Sequence, residues 1–152
     1  MIMELKDGVV ELELYSDIAP NHVERFKDLA KKGLYDGVVF HRVIEGFMAQ
    51  SGDVKFGNSN SKDFNLSLAG TGGSDMPDLK SEFSDVPHDR GVLSAARSAD
   101  PNSANSQFFI CFQPAPFLDR QYTVFGKVIE GMEFVDKIKR GDQNNNGAVT
   151  DP

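Results

Sequence analysis

Alternating apolar and polar positions mark much of this chain as β-structure. Val9–Tyr15 (VVELELY) puts Val10, Leu12 and Leu14 on one face and Glu11 and Glu13 on the other, which predicts a half-buried antiparallel strand. Asp7-Gly8 ahead of it is a hairpin signal, so Ile2–Leu5 is the expected partner. Phe40–Ile44 and Phe47–Gln50 flank Glu45-Gly46 and predict two short strands around a tight turn. Arg42 and Ile44 share one face of the first strand, with His41 and Val43 on the other; Met48 and Gln50 share a face of the second. Asn105–Phe112 (NSQFFICF) is aromatic, β-branched and free of charge. Gln107, Phe109 and Cys111 face one way and Phe108, Ile110 and Phe112 the other. One face is expected to line a core and the other a pocket. Gly91–Ala96 and Tyr122–Val128 complete the strands.

The helical period occurs twice. Pro20 and Asn21 open a segment through Lys32 with Val23, Phe26, Leu29 and Ala30 at helical spacing, closed by Gly33. Gly131–Lys139 directs Met132, Val135 and Ile138 to the core, and Gly141 ends it. Phe117-Leu118-Asp119 reads as a single helical turn. Val54–Leu79 is rich in Gly, Ser, Asn and Asp without a sustained period; loops of this length in a domain are usually functional or disordered. Its Gly70–Ser74 run lacks the lysine and following helix of a phosphate-binding loop. No repeat or boundary interrupts the chain, so residues 1–152 read as a single domain, with 142–152 a polar, low-complexity tail.

Composition narrows the function classes. A formal charge of -7 and a pI near 4.9 disfavour nucleic acid or an anionic membrane as the main partner. The single cysteine, Cys111, excludes an internal disulfide, and with no basic neighbour in sequence it is expected behind the pocket as a small apolar group. No run approaches the ~20 apolar residues of a membrane span. Met1–Asp7 mixes acid and base without a signal-like apolar stretch, so the protein as written is expected in the cytoplasm. His22 and His88 are isolated and no pair has metal-ligand spacing, so neither metal nor cofactor is expected. Ser51 and Asp53 lie near His41, but no nucleophile elbow accompanies them, and alternation aims His41 inward as a satisfied core histidine.

The 40–53 hairpin can present a guanidinium, a thioether and an amide together beside the ring of Phe47. That set suits holding an apolar ligand while donating a few hydrogen bonds, and suits hydrolysis poorly. Read locally, a surface ion pair is the lesser alternative for Arg42, whereas Met48, Phe47 and Phe109 are side chains more often found in a core than in a pocket.

Five stretches change that balance. FHRVIEGFMAQSGD (40–53), GVLSAAR (91–97), NSQFFICF (105–112), FLDRQYTVFGKV (117–128) and EGMEFVDKI (130–138) resemble, in order, the signatures of the cyclophilins, peptidyl-prolyl cis-trans isomerases, with wording similar to bacterial members. The resemblance implies a mainly β fold: a closed or nearly closed antiparallel eight-stranded barrel capped by two α-helices. The sequence stops at Pro152 before the strand that normally closes such a barrel, so the C-terminal strand is expected to be missing and an edge unpaired.

The resemblance further implies that Arg42, with Gln50, is catalytic. Phe47, Met48, Phe109 and Leu118 would form a proline pocket. Gln50 and Gln107 would hydrogen-bond the peptide, the Ala96-Arg97 backbone would pair with it as an added strand, and Phe117 and Tyr122 would complete the binding set. The Gly-rich loop would border the groove, lengthened here around residues 55–68. Three positions depart from the best-known eukaryotic pattern: Phe117 replaces tryptophan, Tyr122 histidine and Arg97 asparagine. Expected partners are proline-containing peptides and unfolded proteins, with weak binding of the immunosuppressant cyclosporin, for a monomer that binds neither nucleic acid nor membrane. The alternative is a non-catalytic module that holds a proline-containing segment.

Overall fold

The first hairpin, β1 (Ile2–Leu5) and β2 (Gly8–Leu14), forms where the alternation and the Asp7-Gly8 turn predict it, with Val10 and Leu12 buried and both glutamates exposed. The computed structural model describes residues 1–152. Five further strands follow: β3 (Arg42–Ile44), β4 (Met48–Ser51), β5 (Val92–Ala95), β6 (Phe108–Cys111) and β7 (Val124–Glu130). All pairings are antiparallel, in the order β1-β2-β7-β5-β6-β4-β3. Short 3₁₀ turns occupy Pro116–Leu118 and Gln143–Asn145.

The expected closed eight-stranded barrel is not what forms. Seven strands make a curled half-barrel whose edge strands, β1 and β3, do not pair with each other. The outer edge of β3 is met by the C-terminal segment: the Val43 N–H donates to the Gly147 carbonyl at 2.8 Å, the Gly141 N–H to Val43 at 2.8 Å and the Val149 N–H to His41 at 3.1 Å. Gly147 permits this approach. Its φ is +79°, and a Cβ there would lie 2.5 Å from Ile44 Cγ1. Between β1 and this segment lies a cavity of about 1050 Å³, lined in part by Leu5, Phe26, Tyr35, Phe40, Phe108 and Val149.

Helix α1 (Pro20–Lys31) has Pro20 in its first turn and no cap from its own N-cap residue, Ala19. Glu82 serves instead, accepting from the N–H groups of Asn21 (3.3 Å) and His22 (2.9 Å) while pairing with His22 Nδ1 at 2.6 Å. A carboxylate at this end satisfies orphan donors and complements the helix dipole. The helix buries Val23, Phe26 and Leu29, and the Phe26 ring meets Phe108 edge-on at 5.2 Å. Helix α2 (Met132–Val135) is a single turn, shorter than the Gly131–Lys139 expected. Beyond it the backbone tightens to i→i−3 bonds, Lys137 to Phe134 and Ile138 to Val135. Arg140 Nη1 takes the carbonyls of Asp136 (2.6 Å) and Ile138 (2.8 Å) in place of further helix. No helix is long and apolar enough to cross a membrane.

Two apolar bodies result. The larger includes Val10, Leu12, Phe26, Val43, Ala49, Leu93, Phe108, Ile110, Phe112 and Phe125 inside the curl. The smaller comprises Met48, Phe109, Cys111, Ala115 and Leu118.

The long loop after β4 is organised by one side chain. Asp53 is fully buried; Oδ1 accepts from the N–H groups of Lys55 (3.0 Å) and Phe56 (2.9 Å), and Oδ2 from those of Gly70 (2.8 Å) and Gly72 (2.9 Å). Four charge-assisted bonds offset the cost of burying the carboxylate. Asp53→Asn leaves one acceptor atom in place of two, so two N–H groups lose their partner. The expected cost is about 1–3 kcal/mol in urea unfolding, with faster proteolytic nicking between residues 56 and 70. An unchanged urea midpoint would contradict this role.

The three histidines are all buried, and burial is the main force pushing each pKa below its ordinary value. His22 and His88 have carboxylate partners in Glu82 and Asp119 that oppose the shift. His41 is not the satisfied core residue expected: neither ring nitrogen has a partner. In the unfolded chain these groups protonate below roughly pH 6.5, where the folded protein resists protonation. Stability is therefore fully present above pH 6.5 and falls as pH drops below it, well before Asp119 and Asp136, whose pKa values are held down, begin to protonate. Tm measured from pH 7.5 to 5 should decline, and His41→Leu should flatten the slope; a flat profile for the unmodified protein would rule out this assignment.

Candidate functional site

The hairpin of β3 and β4 turns at Gly46, whose φ of +75° supplies the left-handed residue the tight turn requires. Its register pairs Arg42 with Gln50 and Ile44 with Met48, and β4 in turn pairs Gln50 with Phe109 and Met48 with Cys111 on β6. Arg42, Gln50 and Phe109 thus lie in one row across three strands, on the face away from the larger core.

A continuous line of side-chain hydrogen bonds runs along this row. Arg42 Nη1 donates to Gln50 Oε1 at 3.1 Å, Gln50 Nε2 to Gln107 Oε1 at 3.0 Å, and Gln107 Nε2 to the carbonyls of Gly70 and Gly72, each at 2.9 Å. The loop organised by Asp53 therefore ends the line at one side. At the other, Arg42 Nε donates to the Asn146 carbonyl and Nη2 to Asn146 Oδ1, both at 3.1 Å. Partial burial lowers the pKa of Arg42 from its ordinary value, an effect opposed by the nearby Tyr122. Arginine stays charged throughout the physiological range.

The apolar floor beside this line is the smaller cluster. Met48, Phe109 and Leu118 are buried in it, with Phe47, Ala96 and Tyr122 partly exposed around them. Phe117 is 65% exposed, its ring 5.5 Å from that of Phe47. Cys111 is fully buried, and desolvation pushes its thiol up to about 12, which leaves no reactive thiolate at neutral pH.

Phe109 is held on both sides. Tyr122 meets it edge-on at 5.8 Å, and the His88 ring stacks against it at 6.1 Å. The Arg97 guanidinium lies 4.4 Å above the Tyr122 ring and donates to the carbonyls of Gln121 (2.7 Å) and Ser98 (2.9 Å). His88 Nδ1 is 3.0 Å from Asp119 Oδ1 and Nε2 is 2.9 Å from Ser94 Oγ. A carboxylate only accepts, so neutral His88 carries its proton on Nδ1, and its Nε2 shares the one donor of the Ser94 hydroxyl with the Thr123 carbonyl, 3.1 Å from Ser94 Oγ. This serine–histidine–aspartate order does not make a hydrolase: Ser94 is fully buried behind Phe109. Nor do Ser51, His41 and Asp53 form a triad, since the Ser51 hydroxyl donates to the Val39 carbonyl and Asp53 is saturated by backbone.

All eleven residues expected at the site lie on or around this row and its floor, but two donors are already engaged. Both N–H groups of the Gln107 amide are accounted for by the loop carbonyls, and the Ala96 backbone N–H donates to the Gln107 carbonyl at 3.0 Å. Asn146, the Gly70 and Gly72 carbonyls and the His88–Asp119 pair were not anticipated from sequence. Asn146-Gly147 is turn chemistry inside the segment read as a polar tail, but nothing local reveals which strand it meets. No three His, Cys, Asp or Glu side chains gather so as to hold a metal ion.

Comparison with known proteins identifies the family. The family described as cyclophilin type peptidyl-prolyl cis-trans isomerase matches residues 1–152. A protein from Brucella suis named a probable peptidyl-prolyl cis-trans isomerase is 59% identical over 152 residues, covering 100% of this chain and 77% of that protein. A Helicobacter pylori peptidyl-prolyl cis-trans isomerase is 43% identical over 139 residues, 89% of this chain and 77% of its own length. Among solved structures, a Cryptosporidium parvum cyclophilin determined in the presence of the dipeptide Ala-Pro superposes with a TM-score of 0.81 at 28% identity, covering 98% of this chain and 90% of the other. A cyclophilin from Hirschia baltica gives 0.80 at 29% identity, covering 99% and 69%. With a seven-stranded antiparallel sheet, a full-length family match and named isomerases as close relatives, the chain belongs to the cyclophilin-type peptidyl-prolyl cis-trans isomerases.

Proposed function

We propose that this chain accelerates rotation about X-Pro bonds in peptides and folding proteins by aiming the Arg42 guanidinium at the prolyl nitrogen. The barrier to rotation, ~18–20 kcal/mol, comes from the partial double bond, and no bond need be broken to cross it. Twisting localises the lone pair on nitrogen, so a donor aimed there is worth more in the transition state than in either isomer. The observation that carries the reading is a donor count. A guanidinium has five N–H groups; three are used, on Nε, Nη1 and Nη2, which leaves one on each terminal nitrogen for a substrate. The fork is thus fixed but not exhausted.

The apolar floor of Met48, Phe109 and Leu118, rimmed by Phe47, Phe117 and Tyr122, is suited to a pyrrolidine ring. Gln50 supports Arg42, and its amide retains one N–H for the peptide. The Gln107 amide and the backbone at Ala96-Arg97 border the same groove, and a peptide that recruits Gln107 as donor has to displace a loop carbonyl. The dipeptide Ala-Pro named with the Cryptosporidium parvum cyclophilin supports proline-containing ligands.

Arg42→Ala should lower kcat/KM by roughly 30- to 1,000-fold, about 2–4 kcal/mol of transition-state stabilisation, with a much smaller loss of peptide affinity. Arg42→Lys should recover little, because an ammonium lacks the planar fork. A protease-coupled assay on a proline tetrapeptide reads both; near-normal turnover in Arg42→Ala would defeat the mechanism and leave a binding module as the better account.

Phe117 offers apolar area at the rim but no indole N–H. A ligand carbonyl seated there forgoes a hydrogen bond worth about 0.5–1.5 kcal/mol, or ~1–3 kcal/mol if left unsatisfied. Inhibition by cyclosporin should therefore be roughly 10- to 100-fold weaker than in tryptophan-bearing members. Phe117→Trp should strengthen it in an inhibition titration. Equal inhibition of the two forms would shift the cause to Tyr122 or Arg97.

A further inference from the structure

Arg42 owes its orientation to a residue 104 positions later in the chain. Two of its three internal hydrogen bonds go to Asn146, through both the backbone carbonyl and Oδ1, and only one to Gln50. The Nε and Nη2 groups lie on one edge of the guanidinium plane, so this two-point contact fixes the rotation of the whole plane as well as its position. We propose that Asn146 is a positioning residue for isomerisation: it acts through Arg42, orienting the two free N–H groups, without itself contacting the substrate. The inference rests on Arg42 being the catalytic donor.

The local structure is built to present both acceptors. Asn146 has a φ of +54°, in the left-handed region that asparagine tolerates better than most residues. It ends the turn at Gln143–Asn145, where Asp142 caps the start by accepting from the Asn144 N–H at 2.9 Å. The Gly147 N–H returns to the Asp142 carbonyl at 2.8 Å. On the far side, Gly147 and Val149 bond Val43 and His41, the residues on either side of Arg42 in sequence. The turn is therefore docked by backbone groups on either side of Arg42, and Asn146 faces the arginine from a fixed base. Asn146 is otherwise solvent-exposed and makes no other side-chain hydrogen bond, so a purely structural role would give its amide little to do.

Two variants separate the contributions. Asn146→Gly keeps the backbone carbonyl and suits the positive φ, removing only Oδ1; Asn146→Asp keeps an acceptor at that position. Asn146→Gly should lower kcat/KM by about 5- to 20-fold while the peptide Kd changes less than about 2-fold and Tm is held. Asn146→Asp should restore most of the activity. Placed on Arg42→Ala, Asn146→Gly should cause no further loss, since its effect passes through the guanidinium.

Three results would overturn the proposal: full activity in Asn146→Gly, an equal loss in Asn146→Asp, or an additive loss in the double variant. Arg42→Ala measured alongside keeps the two readings apart. If it is inactive while Asn146→Gly is fully active, only the positioning role fails. If Arg42→Ala is itself fully active, the assignment of the donor fails first.

Discussion

Burial of β6 on both faces is the constraint from which the rest of the molecule follows. Phe108 and Ile110 point into the curl and meet Phe26, Leu93 and Val43; Phe109 and Cys111 point outward and need a second cover. A single sheet cannot bury both sets of side chains by itself. The inner set is covered by the curl of the sheet and by α1, and the outer set by the segment that carries Ala115 and Leu118. Apolar area of this kind is worth about 25 cal/mol per Å² removed from water, so each cover is anchored by burial before any polar contact is counted. The outer cover is incomplete at its rim, where Phe47, Ala96 and Tyr122 remain partly open, and the proposed ligand-binding face is this incompleteness.

Polar groups then decide what the open rim can do. The line from Asn146 through Arg42, Gln50 and Gln107 to the Gly70 and Gly72 carbonyls runs from β3 and β4 to the residue just ahead of β6 and ends in an irregular segment on each side. Each amide both accepts and donates, so turning one over would disturb its neighbours in turn. The strands supply a rigid row; the two irregular segments fix how its ends are terminated. Asp53 ties one terminus and the Asp142–Gly147 turn the other, each with backbone hydrogen bonds and not side-chain packing alone.

Features that depend on near neighbours were legible in the sequence. The two-residue alternation assigned the faces of β2, β4 and β6, and the Glu45-Gly46 turn placed Arg42 across from Gln50. The family motifs carried the identity of the family because they run in order along nearly the whole chain. What was not legible depends on partners far along the chain. The Glu82 cap on α1 lies about 60 residues from the helix, and the Asn146 clamp lies 104 from Arg42. His41 was correctly aimed inward by alternation, but whether a buried ring finds a partner is decided by the packing around it, and here it finds none. Helix α2 was over-read because its apolar spacing continues to Ile138 although Arg140 takes the carbonyls that would prolong it.

The distance between Arg42 and its clamp has a bearing on synthesis. A nascent chain that has exposed β3, β4 and β6 already holds the apolar floor and both amides, yet its guanidinium is tied by Gln50 alone. Asn146 leaves the ribosome much later, after every strand of the sheet. If catalysis depends on that clamp, a growing copy of this protein cannot turn over prolines, its own included, until the Asp142–Gly147 turn has docked. Competence would then arrive with the docking of that turn and not gradually as the strands form.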